Sequence, residues 1–154
     1  MARAAVIYET FTGETREIAQ FIAEGITSAG HSAELLEVGQ IRDASELQGF
    51  DALVLGSPTY YCALPQKVKT FLSLARDTRL QGKIGGSFGS YIHRGEASDL
   101  IHQAMQESLG MEVVAPPLKL KFPLLGDGES KARELGRTIG RHLPPSNEQS
   151  PEVG

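Results

Sequence analysis

The chain has 154 residues, 40% of them hydrophobic and 22% charged, with a formal net charge of −4. That length predicts one domain with its own core, residues 1–143, and the acidic balance argues against nucleic-acid binding. Cys62 is the single cysteine, so there is neither an internal disulfide nor a Cys-ligated metal site to expect.

In chain order, Ala4 to Tyr8 is a short apolar run without alternation, as in a strand covered on both faces. From Thr15 the apolar residues fall at Ile18, Ala19, Ile22, Ile26 and Ala29, a helical stripe ending at Gly30. Ser32 to Val38 reads as a second strand, and Gly39 to Gly49 as a short or irregular helix anchored by Ile41 and Leu47. Asp51 to Gly56 is a third strand, buried along its length. Pro65 suits the first turn of a helix carrying Leu64, Val68, Phe71, Leu72 and Ala75.

Lys83 to Ser90 is a glycine-rich fourth strand, followed by a helix with Ala97, Ile101, Ala104, Met105 and Leu109 on one side. A fifth strand lies within Met111 to Leu120 and is expected to end near Pro116-Pro117. Lys119 to Gly126 is read as a connection, Asp127 to Leu143 as the last helix, and residues 144–154 as a polar, disordered tail. Strands alternating with helices predict an α/β fold, a doubly wound parallel sheet with helices on both faces. With five strands in the order 2-1-3-4-5, ligands bind outside the carboxyl ends at the switch between strands one and three. The loops after strands one, three and four then meet at one edge.

The loop after strand one is Glu9-Thr10-Phe11-Thr12-Gly13-Glu14-Thr15. Backbone N–H groups at a helix start lack intrahelical partners and attract anions. Gly13 permits close approach, and three threonine hydroxyls can donate to phosphate oxygens. The loop has no Lys or Arg and contains Glu9 and Glu14, which suits a single phosphate ester better than a metal-bound triphosphate. A plainer reading, in which Thr12 only caps the helix, needs one hydroxyl and leaves the other two unexplained. There is neither a G-x-G-x-x-G after this strand nor a G-x-x-x-x-G-K-[ST] in the chain.

The pattern Thr-x-Thr-Gly-x-Thr resembles the FMN phosphate loop of flavodoxins. Gly56-Ser57-Pro58-Thr59-Tyr60 resembles their flavin-ring loop, and Phe88-Gly89-Ser90-Tyr91 with Gly95-Glu96-Ala97 is similar to the flavodoxin domain of flavodiiron proteins. Pro117 to Phe122 and Arg133-Glu134-Leu135-Gly136 resemble the last strand and helix of that domain. The di-iron half of such proteins has no counterpart here, since His31, His93, His102 and His142 are scattered. Ile92-His93-Arg94 stands where that family commonly has a glycine and an aromatic.

The resemblance implies FMN as cofactor. Thr10, Phe11, Thr12, Gly13, Glu14 and Thr15 would hold its phosphate. Ser57, Pro58, Thr59, Tyr60 and Tyr61 would line the ring, with one of the two tyrosines stacked on it. Gly89, Ser90, Tyr91 and Gly95 would flank the pyrimidine side, and His93 and Arg94 are either neighbours of the ring or solvated loop charges. Cys62, without a second thiol, reads as a passive small residue. No acid–base pair accompanies the site, so the expectation is an electron carrier between a reductase and an acceptor enzyme. An FMN-dependent NAD(P)H:quinone reductase of the same fold is the alternative; such proteins have a tetramer-building insertion and a different ring loop. A non-redox module that has lost its cofactor fits the intact threonine loop less well. The chain is further expected to be cytoplasmic, free of membrane spans, and a monomer or weak homodimer.

Overall fold

A computed structural model describes residues 2–59, 63–91, 95–122, 124 and 126–144. Strands β1 (Arg3–Tyr8), β2 (Ser32–Glu37), β3 (Ala52–Pro58) and β4 (Ile84–Tyr91) are joined through helices α1 (Glu14–Ser28), α2 (Gln66–Ala75) and α3 (Ala97–Glu107). Short strands β5 (Glu112–Val113) and β6 (Leu118–Lys121) follow, then helix α4 (Gly128–His142). The sheet is parallel, as expected from the alternation of strands and helices, and its order β2-β1-β3-β4-β5 is the one that the flavodoxin resemblance implies. Between β2 and β3 the irregular segment forms two 3₁₀ turns, Val38–Gln40 and Ala44–Leu47.

One expectation needs correction. The fifth position of the sheet is filled by two pieces rather than one strand. Glu112 and Val113 pair with Ile84 and Gly85, and Leu118 to Lys121 pair with Phe88 to Tyr91. Pro116 and Pro117 lack the N–H that the ladder needs, so hydrogen bonding to β4 ends at Val114, whose N–H donates to the Gly85 carbonyl at 3.2 Å, and pairing resumes beyond them. Lys119 to Lys121, read as a connection, is therefore strand. The expected tail begins at Pro144, and residues 145–154 lie outside the described part.

Period-2 alternation divides the core between the two faces of the sheet. Ala4, Val6 and Tyr8 of β1 with Ala52 and Val54 of β3 face α1 and α4. Ala5, Ile7, Leu53 and Leu55 face α2, α3 and the 3₁₀ turns. Continuous burial on both faces is why these strands read as unbroken apolar runs.

Helices α1 and α4 approach backbone to backbone. A Cβ on Gly25 would lie 2.1 Å from the Arg133 carbonyl oxygen, and one on Gly136 would lie 2.1 Å from that of Ile22. The contact is fastened at its rim by Arg133, whose Nε donates to Glu24 at 2.9 Å and whose guanidinium pairs with Glu129 and covers the Phe21 ring. No helix among the described residues is long and apolar enough to cross a membrane.

Candidate functional site

The carboxyl ends of β1, β3 and β4 form the edge where the sequence places its loops. Tyr8, Gly56 and Phe88 are in register across these three strands. Glu9 N–H donates to the Gly56 carbonyl at 3.1 Å, extending the ladder one residue into the first loop. A Cβ on Gly56 would fall 2.1 Å from Cε2 of Phe88, so the glycine provides room for a ring that is itself fully buried. This packing underlies the edge.

Helix α1 begins without a side-chain cap. Its N-cap is Gly13, left-handed at φ 98°, and no threonine caps the first turn. Thr12 instead donates its hydroxyl to the Glu14 carboxylate, so the capping reading of Thr12 fails. Thr10 Oγ1 accepts from Gly13 N–H at 2.9 Å, which bends the loop and leaves the Thr10 proton free to donate outward. The N–H groups of Glu14, Thr15 and Arg16 have no intrahelical partner because they open the helix. Nothing lies within 4 Å of where a Gly13 Cβ would be, so the approach is open. Neutral donors, a helix start and free space fit a terminal phosphate monoester. Phe11 stands out beside this mouth, 56% exposed.

Thr15 occupies a different place from its two companions. It is 1% exposed, and its Oγ1 lies 2.8 Å from Oγ of Ser90, itself 4% exposed. The Ser90 carbonyl accepts from Thr59 N–H at 3.4 Å, and Thr59 Oγ1 accepts from Ala97 N–H at 3.1 Å. A chain of three hydrogen bonds thus links the start of α1, the end of β4, the loop after β3 and the start of α3. Helix α3 has no side-chain cap of its own, so Thr59 satisfies its first orphan donor from another loop. Neither link was visible in the sequence, because the partners are 75 and 38 positions apart.

The remaining predicted residues fall beside this chain. Ser57 is fully buried and its hydroxyl donates to the Pro58 carbonyl at 2.7 Å. A Cβ on Gly89 would meet the Ser57 carbonyl at 2.9 Å. Gly95 lies under the half-buried Tyr91 ring, where a Cβ would be 2.8 Å from Cδ1. Tyr60, Tyr61, Cys62, His93 and Arg94 lie outside the described residues. Among the described residues no group of three or more His, Cys, Asp or Glu side chains is placed to hold a metal ion.

This edge, built on a parallel sheet of order 2-1-3-4-5, defines a flavodoxin-fold protein. An archaeal flavodoxin superimposes with a TM-score of 0.82 at 30% identity, over 90% of this chain and 96% of that one. The Flv1 flavodiiron core of Synechocystis sp. gives 0.82 at 25% identity, over 91% of this chain and 35% of that one. The family described as "Flavodoxin domain" matches residues 5–120, and the chain belongs to that family.

A diflavin flavoprotein of Synechocystis sp. is 32% identical over 144 residues, 92% of this chain and 24% of that protein. An NAD(P)H dehydrogenase (quinone) of Archaeoglobus fulgidus is 28% identical over 151 residues, 77% of this chain and 79% of that protein. The chain thus spans about a quarter of the curated relative it matches at 32% identity, and corresponds to the flavodoxin part of flavodiiron-type proteins.

Proposed function

We propose that this chain binds FMN and carries electrons between a reductase and an acceptor enzyme. The carrying observation is the start of α1: an uncapped helix at the carboxyl end of β1, opened by a left-handed Gly13 and flanked by Thr10, Thr12 and Thr15. Bound FMN supplies the redox chemistry. Thr10 and the first-turn N–H groups of α1 would bind the phosphate, joined by Thr12 once its hydroxyl turns from the Glu14 carboxylate. Thr15 orients that turn through Ser90. Thr59, Ser90 and Tyr91 would contact the FMN ring. The buried Phe88 and Ser57 would give the site a dry base.

The absorption spectrum of the freshly purified protein tests this reading. Flavin bands at near-stoichiometric amplitude, with FMN released on denaturation, are the expected result; a colourless protein that takes up no added FMN overturns it. The relationship to the Archaeoglobus quinone dehydrogenase favours a second reading, direct oxidation of a nicotinamide. Stopped-flow mixing with NADH or NADPH separates the two. A carrier waits for its reductase, whereas rapid flavin bleaching by either nucleotide alone assigns the chain as a reductase.

A further inference from the structure

Helix α2 leaves the loop after β3 and runs down the face of the sheet opposite α1, and its surface carries an unusual charge pattern. From Lys67 to Lys83 there are five cations, Lys67, Lys69, Arg76, Arg79 and Lys83, against the single acid Asp77, in a chain whose net charge is −4. Lys83 is spent internally, its Nζ donating to the carbonyls of Phe50 and Gln48. The other four are exposed and make no ion pair among the described residues. On α4, by contrast, Lys131, Arg133, Arg137 and Arg141 are all paired with carboxylates.

Helix stability does not account for the pattern. A cation is favourable at a helix C-terminus, which explains Arg76 at the C-cap. Lys67 and Lys69 lie at the opposite end, in or next to a first turn that contains no acid, where the dipole opposes them. Lys69, Leu72, Ser73 and Arg76 follow the i, i+3, i+4, i+7 spacing of one helix face. They line a cleft of about 240 Å³ between α2 and α3, closed on the other side by Ala104, Ser108 and Leu109. No acid and no aromatic lines it. Acids on the adjoining segments, Glu107 beside Ser108 on α3, Asp77 after α2, and Asp43 and Glu46 at the second 3₁₀ turn, are outside the lining.

We infer that the α2–α3 cleft, with Lys69 and Arg76 on its rim, is a docking surface for an acidic protein partner. The two cations are two helical turns apart, about 10 Å, and the basic face runs the length of α2, about 15 Å. That is wider than one small anion and matches a carboxylate-bearing surface. Leu72 and Leu109 give the cleft an apolar floor between its charges, the arrangement of an interface with a polar rim. A nucleic acid would meet cations here but no aromatic platform for its bases. That the partner is a redox protein rests on the carrier reading above; the cleft itself lies toward the C-terminal ends of α2 and α3, away from the phosphate loop.

The test uses the full chain, ¹⁵N-labelled, titrated at low salt with an oligoglutamate peptide. Amide shifts concentrated at Lys69, Ser73, Arg76, Ser108 and Leu109 are expected. Lys69→Glu combined with Arg76→Glu should weaken binding about tenfold or more, with an unchanged melting temperature. Shifts located elsewhere, or equal affinity in the double variant, overturn the proposal. So does tighter binding to an oligothymidylate of equal charge or to phosphatidylserine vesicles. Flavin content and uptake of added FMN are read on the same samples: a chain that takes up no FMN yet still shows the cleft shifts overturns the carrier reading and leaves the docking surface standing.

Discussion

Removing the Thr15–Ser90 bond is the sharpest probe of how this edge is held. The two hydroxyls meet at 2.8 Å and both are almost wholly buried, so neither can turn to water if its partner goes. Ser90→Ala leaves Thr15 Oγ1 unsatisfied, and Thr15→Val leaves Ser90 Oγ unsatisfied. Each should cost about 1–3 kcal/mol, the penalty for stranding a buried polar group. Removing both should cost no more than either alone, because replacing a hydrogen-bonded pair with apolar groups of similar shape is nearly neutral. Urea unfolding of the two single variants and the double closes the cycle. With a slope of about 1–3 kcal/mol/M, each single variant should lower the midpoint by roughly 1 M. Ligand binding adds a second readout. If Thr15 orients the phosphate-binding turn, all three variants weaken FMN about tenfold or more and riboflavin, which has no phosphate, far less. Single-variant losses that add to within about 0.3–0.5 kcal/mol would show that the two hydroxyls are not coupled. Equal losses for FMN and riboflavin would show that the turn does not hold phosphate.

Three further outcomes follow from particular contacts. Gly136→Ala should destabilise by about 1–3 kcal/mol despite alanine's better helix propensity, because its Cβ meets the Ile22 carbonyl at 2.1 Å and forces α1 from α4; thermal unfolding measures it, and Gly39→Ala, which meets only the Lys67 side chain at 3.8 Å, is the tolerated control. Thr59→Val should unpair Ala97 N–H and cost about 0.5–2 kcal/mol, the range for a lost helix cap, with faster amide exchange at Ala97; exchange as slow as in the parent chain would refute it. Asp43 is held below the usual carboxylate range by hydrogen bonds from Ser45, chiefly its backbone N–H. A depressed folded value means that its stabilisation is present above the unfolded value near 3.8 and is lost as pH falls through the lower folded one. Asp43→Asn should therefore flatten the acid limb of the stability profile below about pH 4 and change the profile little at neutral pH.

Most of the fold was legible because its signals are local. The runs Ala4 to Tyr8 and Asp51 to Gly56 are apolar throughout because both faces of β1 and β3 are covered, and helix stripes separate them. Leu118 to Lys121 shows the limit. Its two lysines are exposed and Pro116-Pro117 precedes it, so the segment looks like the exit from a strand. Only β4, already laid down, offers the ladder on which pairing resumes. The site divides in the same way. Thr10, Thr12 and Gly13 announce themselves by spacing, whereas the bonds of Thr15 to Ser90 and of Ala97 to Thr59 depend on register between distant strands. Gly25 and Gly136 each look like a helix defect in sequence; they make sense only as facing halves of one crossing.

The arrangement separates two tasks that small electron carriers must perform together. The groups proposed to hold the phosphate are neutral hydroxyls and backbone N–H, set by Gly13 and by the buried Thr15–Ser90 pair. None of the cations on α2 belongs to that set, and none of the phosphate-loop hydroxyls lies in the α2–α3 cleft. The sheet stands between them, with α1 on one face and α2 on the other. Reversing charge at Lys69 and Arg76 should therefore alter association with an acidic partner and its salt dependence while leaving the FMN-to-riboflavin affinity ratio unchanged. Removing the Ser90 hydroxyl should do the reverse. A variant in either place that moved both quantities would mean that the loop after β3, which connects them, transmits more than position.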